Sequence, residues 1–240
     1  MTGAEVRAEL LSPGELDARI AEYPLVYMPL GSLEFHGPHL PVGLDALTAH
    51  GVCIRAATIT GGIVLPAVYQ GTGGAHGPYP WTIMMASAAG IRSHIVQTLD
   101  RLELFGVRGA ALFSGHFAGE QLELIEGIAE NWNAEPDHTL HVLATSINKC
   151  PTSPITADHA GIFESTLLHA LHPKLVHVER LSLEVSTAPD GDQWGSQRHD
   201  PNHPLWGVFG SDPRNAKLAT SGELLDTIVG WLASIAGRRN

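Results

Sequence analysis

Four short apolar runs set the limits on what this chain can fold into. They are LVYMPL at 25–30, GIVLPAV at 62–68, GAALF at 109–113 and LHVLATS at 140–146. Between them lie longer stretches with apolar residues at helical spacing. Helices are expected from Ser12, as N-cap with Pro13 just inside, to about Glu22, and over Ala46–Ala57, Ser87–Leu104, Gln121–Trp132, Ile162–Leu171 and Asn215–Ala236. Gly106 and Pro173 stop two of them. This order of buried strands and helices implies an α/β fold, a mostly parallel central sheet covered by helices on both faces. The 240 residues suffice for one sizeable core, so a single domain over 1–240 is expected.

Charge and cysteine content narrow the function. Lys and Arg number 14 against 25 Asp and Glu, a formal charge of −11 with no basic run, which argues against nucleic-acid or anionic-lipid partners. Cys53 and Cys150 sit in apolar surroundings without a CxxC spacing and read as buried free thiols. The N-terminal stretch lacks the apolar core of a signal peptide, and no apolar run approaches the ~20 residues of a membrane span. A cytoplasmic location with no membrane partner is therefore expected. The 14 histidines ask for an explanation by position. Ser186–Asp212 is a long aperiodic segment rich in Gly, Asp, Pro, Trp and His, expected to be functional or an oligomer contact.

In open parallel sheets, ligands bind beyond the carboxyl ends of the strands. After LVYMPL comes GSLEFHGPHLP and then Asp45; after GAALF comes Ser114-Gly115-His116-Phe117; after LHVLATS and a loop comes Asp158-His159-Ala160-Gly161, then Glu164. Glu34 and His36, two apart, point the same way in extended backbone. Mixed imidazole and carboxylate ligands suit zinc, manganese or iron, and Asp45 can bridge two ions with one oxygen each. The predicted centre is thus two divalent metal ions held by Glu34, His36, Asp45, His116 and one further carboxylate.

These residues resemble the creatininase (creatinine amidohydrolase) family. GSLEFHGPHLPVGLD is similar to its signature GS-x-EQHGPHLP-x-x-x-D, SGH at 114–116 to its second metal motif, ADHAGIFEST at 157–166 to its D-x-HAG-x-x-E-T-S motif, and GVFGSDPRNAKLATSGELL at 207–225 to its C-terminal segment. The resemblance implies a three-layer α/β/α sandwich, paired metal ions and a homo-oligomer, often a hexamer built as a trimer of dimers. It implies one ion on Glu34, Asp45 and His116, and a second on His36, Asp45 and another carboxylate. Creatininase carries that last acid two residues after the motif histidine, where this chain has Ala118; Glu164 is expected to replace it, with Glu120 the alternative. Phe35, Gly119 and Trp81 also depart from the family's usual Gln, Asn and Gly, and Trp81 is expected to narrow the pocket.

Roles follow from these placements. His159 is expected to carry a proton to the leaving group, with Asp158 either orienting it or capping a helix. Glu164 is counted with them as catalytic as well as a ligand. His76, Trp81 and Phe117 are expected to contact a small-molecule substrate. His39 is expected behind the ligands, Glu123, Glu126 and Glu130 on a wet helix face, and His169, His172 and His177 in structural positions; Trp194 and Trp206 could wall the pocket or pack between subunits. The reaction expected is attack of metal-activated water on a carbonyl carbon, cleaving a non-peptide C–N bond of a cyclic or small linear amide. Two alternatives stand beside it: hydrolytic C–C opening of a cyclic keto-sugar or keto-inositol, and a non-catalytic metal-binding subunit of an oligomeric assembly.

Overall fold

The computed structural model describes residues 5–74, 76–85, 87–182 and 194–237. The helices are α1 Pro13–Glu22, α2 Leu44–Thr60, α3 Ala89–Leu104, α4 Gly119–Ala134, α5 Ile162–Leu171 and α6 Ser221–Ala236. The strands are β1 Leu25–Leu30, β2 Ile63–Val64, β3 Gly109–Ser114 and β4 His141–Ser146. All four strands pair in parallel in the order β2-β1-β3-β4.

Strand alternation sorts the core into two halves. Tyr27, Ala111 and Phe113 face α2, α5 and α6, where they pack with Val52, Phe163, Leu167, Leu224 and Ile228. Val26, Met28, Leu30, Ala110 and Leu112 face the other way, onto Ile20 of α1, Ile95 and Leu99 of α3, and Ile125 and Ile128 of α4. The three-layer α/β/α arrangement is the one expected, and removing a fully buried ring such as Phe113 costs about 3–5 kcal/mol. Cys53 and Cys150 are buried and free.

Two expected elements differ. The strand over 62–68 shrinks to Ile63–Val64 plus a single bridge from Val68 to Leu30. Pro66 lacks an amide hydrogen and cannot donate within a ladder. The expected helix Asn215–Ala236 begins only at Ser221, preceded by 3-10 turns at Pro213–Asn215 and Leu218–Thr220. Asp212 accepts the Arg214 amide at 3.0 Å and closes the first of these turns, while Ser221 is anchored by its hydroxyl to His169 Nδ1 at 3.0 Å.

At the outer edge of β4, Asn133 of α4 replaces a strand partner. Its Oδ1 accepts the Val142 amide at 2.9 Å and its Nδ2 donates to the Val142 carbonyl at 2.8 Å. No described helix is long and apolar enough to cross a membrane.

Candidate metal centre

The connection from β1 to β2 runs through α2 on one face of the sheet, and that from β2 to β3 through α3 on the other. A crevice forms at the carboxyl ends where such connections diverge. Here β1 and β3 run in register to Leu30 and Ser114 and continue into Gly31 and Gly115. Neither glycine has room for a side chain: a Cβ at Gly31 would lie 2.2 Å from Ala46 N, and one at Gly115 only 2.0 Å from Asp45 O. The first turn of α2 therefore rests directly on both strand ends, and this contact places Asp45.

Around Asp45 the other expected residues converge, all buried. His116 Nδ1 lies 2.9 Å from Glu34 Oε2 and 3.2 Å from Asp45 Oδ2. On the other side, His36 Nε2 lies 3.1 Å from Asp45 Oδ1 and 3.6 Å from Glu164 Oε2. Among the described residues, three triads could hold a metal ion: Glu34, Asp45 and His116; His36, Asp45 and Glu164; and Glu34, His36 and His159. In the first two, Asp45 offers a different oxygen to each side.

Each imidazole is aimed from behind. His36 Nδ1 donates to the Glu34 carbonyl at 2.9 Å, leaving Nε2 for the cluster. His116 Nε2 donates to the Thr72 carbonyl at 3.2 Å, leaving Nδ1. His159 Nε2 donates to the Phe35 carbonyl at 3.0 Å, and its Nδ1 faces Glu34 Oε1 at 4.0 Å. Backing of this kind fixes the tautomer of metal-binding histidines. Ser32, which the sequence reading passed over, donates to Asp45 Oδ2 at 2.6 Å and reaches Glu34 Oε2 at 3.2 Å; its place two residues before Glu34 was the available signal.

The electrostatics match a cation site. Burial would raise the Glu34 carboxyl, but hydrogen bonds from His116 and His76 hold it well below the usual range. Asp45 is likewise held low against burial by His36 and His116. Burial works against charge on His36 and His116 as well, yet their carboxylate neighbours raise each imidazole to about 10. Burial drives Glu164 well above its ordinary value, and burial with the nearby His36 charge keeps His159 well below. Three buried carboxylates face two imidazoles with no thiolate. His36 Nε2 has no hydrogen-bond partner among the described residues. A divalent ion of the zinc, manganese or iron kind satisfies both features.

Other expected residues fall less uniformly. His76 hydrogen-bonds Glu34 Oε1 through Nδ1 and stacks on His159 with ring centroids 4.0 Å apart. Glu120 lies outside the cluster, exposed, with Oε2 3.3 Å from the Gly74 amide, so Glu164 is the acid within reach. Asp158 accepts the amides of Gly161, Phe163 and Glu164 at 3.2–3.4 Å. It caps α5, and none of its hydrogen bonds among the described residues goes to His159; burial raises it to about 6. Phe117 packs against the α2/α5/α6 side of the core instead of the cluster. Trp81 lies at the surface, 79% exposed. His39 is buried behind the site, 3.4 Å from Ser165 Oγ, and burial lowers it to about 4.

Part of the long segment 186–212 lies outside the described residues. Within the rest, Trp194 is exposed, whereas Trp206 packs on Phe35 with centroids 4.6 Å apart. Phe35 also stacks on Tyr79, whose hydroxyl meets His199 Nδ1 at 2.5 Å. Phe209 stacks on His76 and pairs its backbone with that of His159. This ring of Tyr79, His199 and Phe209 was missed, because its members lie far apart in sequence and no motif marks them.

The family model Creatininase, described as creatinine amidohydrolase, matches residues 9–236. Creatinine amidohydrolase of Pseudomonas putida is 30% identical over 191 residues, 70% of this chain and 72% of that protein. The mycofactocin precursor peptide peptidase of Mycobacterium ulcerans is 27% identical over 169 residues, 67% of this chain and 63% of its own length. A crystal structure of creatinine amidohydrolase superposes with a TM-score of 0.74 at 26% identity, covering 97% of both chains. A manganese form of creatininase shares the fold, with a TM-score of 0.75 at 23% identity over 97% of both chains. With a match that spans nearly its whole length, the chain belongs to the creatininase family and is a metal-dependent amidohydrolase.

Proposed function

We propose that the chain holds two divalent ions, one between Glu34, Asp45 and His116 and one between His36, Asp45 and Glu164, and hydrolyses a non-peptide C–N bond of a cyclic or small linear amide. One observation carries this reading: the two oxygens of Asp45 face two different ligand triads. When bound, such a pair supplies Lewis acidity at a carbonyl oxygen and a water acidified towards a pKa of ~7.

The remaining work belongs to the chain. His159, kept neutral and anchored through Nε2 on Phe35, takes up a proton at Nδ1 and returns it to the departing nitrogen. His76 and the Tyr79 ring bound the space beside it and orient the substrate. Asp158 holds the first turn of α5, and with it Glu164. The cyclic amide named for the Pseudomonas relative supports a small cyclic substrate, and the manganese form among its structural relatives supports manganese as the ion.

The test is metal analysis of purified, manganese- or zinc-loaded protein, together with ring-opening and amine-release assays on creatinine, hydantoin, formamides and a short peptide. Two ions per chain and turnover of a non-peptide amide are expected, both lost in Glu34→Gln and His116→Ala. Turnover that survives either substitution, or preference for the peptide, refutes the proposal.

A further inference from the structure

Trp81 fills the third position of the Tyr79–Thr82 turn, a position of positive φ where glycine is the favoured residue. Its φ is +59°, in the left-handed region that disfavours any side chain. The indole is 79% exposed, and among the described residues it has no ring partner. Residues held in such a conformation are over-determined by their surroundings, and here the surroundings are visible. The Tyr79 amide donates to the His76 carbonyl at 2.9 Å, and the Thr82 amide to the Tyr79 carbonyl at 3.3 Å. Thr82 Oγ1 then accepts the amide of Phe35 at 2.9 Å, between the candidate ligands Glu34 and His36. The turn that fixes Trp81 is therefore the turn that brings His76 to Glu34.

Beyond it the chain is extended. Ile83 pairs with Leu33, and Ile83 and Met85 are exposed at 56% and 37% while Thr82 and Met84 are half-buried. Period-two exposure puts Ile83 and Met85 along one outward face, directly after the exposed Trp81 of the turn. An apolar strip thus starts at the rim of the metal centre and leads away from it.

We propose that Trp81 is a specificity-determining residue: its indole forms a lip over the mouth of the centre and packs against a flat apolar substituent of the amide substrate. The proposal rests on the reading of Glu34, His36, Asp45, His116 and Glu164 as metal ligands. Conformational disfavour retained at an exposed position is accounted for by a contact made outside the chain's own core, and continuity with the His76 turn makes the bound amide that contact.

The test uses two metal-anchoring probes, acetohydroxamate and phenylacetohydroxamate, titrated calorimetrically into manganese-loaded protein of verified metal content. The wild-type chain is expected to bind the phenyl probe at least tenfold more tightly. In Trp81→Gly that preference falls to within twofold, acetohydroxamate affinity stays unchanged, and Tm holds or rises because glycine accepts this backbone. Trp81→Phe keeps most of the preference. A Trp81→Gly chain that retains the phenyl preference, or melts lower, overturns the proposal. A change in oligomeric mass on sedimentation with the preference intact also overturns it and assigns the indole to a second copy. Failure of both probes to bind metal-loaded wild type instead brings down the ligand reading on which the proposal rests.

Discussion

Adding one methyl group at Gly115 should empty the metal centre while leaving the fold standing. A Cβ there would lie 2.0 Å from Asp45 O, 2.8 Å from Asp45 C and 3.1 Å from Asp45 Cα. Ordinary contact begins near 3.4 Å, so the backbone of Asp45 must retreat by about 1.4 Å. Metal–ligand distances tolerate only about ±0.2 Å, and Asp45 is the residue both triads share. The energetic cost is of the overpacking kind, about 1–3 kcal/mol, against a total stability of about 5–15 kcal/mol for a typical domain. Gly115→Ala is therefore expected to keep its far-UV circular dichroism, melt a few degrees lower, and hold less than about a tenth of the wild-type metal by inductively coupled plasma mass spectrometry. Gly127→Ala is the control: nothing lies within 4 Å of its added methyl, in the middle of α4, so it should keep full metal and gain about 0.5–1 kcal/mol. A folded Gly115→Ala chain with wild-type metal content would refute the claim that close approach at this glycine sets the position of Asp45.

Glu164→Gln should release one of two ions and Glu120→Gln neither, by metal analysis; the reverse pattern would make Glu120 the ligand. In the metal-free chain, burial opposes charge on His36 and His116, but Asp45 and Glu34, joined at His36 by Glu164, raise both to about 10. Their contribution to metal-free stability is thus complete below about 6.5 and lost as pH rises towards 10, while ions compete with those protons; the Tm gain on manganese loading should grow between pH 6.5 and 9, and a flat gain would contradict this. Glu103 is opposed by burial but held down to about 2 by His138 and the Thr139 and Leu140 amides. A carboxyl depressed in the folded state contributes above its unfolded value and loses that contribution as pH falls through about 2. Glu103→Gln should therefore cost about 1–2 kcal/mol at pH 7 after solvent screening, a difference that closes between pH 4.5 and 2 in urea titrations.

Local rules made some elements legible with their ends. Ser12 and Glu15 form a complete capping box at α1, and LVYMPL is β1 to the residue. The start of α6 was not legible. The residues at 215–220 suit a helix, but the segment is settled by Asp212 closing a turn at one end and by His169 gripping Ser221 at the other, and the second contact spans 52 positions. The shortened β2 shows the same dependence, since a strand is defined by its partner as much as by its own residues. The ligand residues were legible because strand ends in a parallel sheet share one rim. What backs them was not: the Thr72 and Phe35 carbonyls belong to backbone, which carries no side-chain signature.

Asn133 has a bearing on how copies of this chain can meet. An open strand edge is a template on which another chain can add its own strand, the route to runaway aggregation. Here one amide side chain occupies both groups of Val142 that such an intruder would seize. Lateral growth of the sheet past β4 is blocked at the second residue of that strand, where an intruder would have to evict the Asn133 carboxamide.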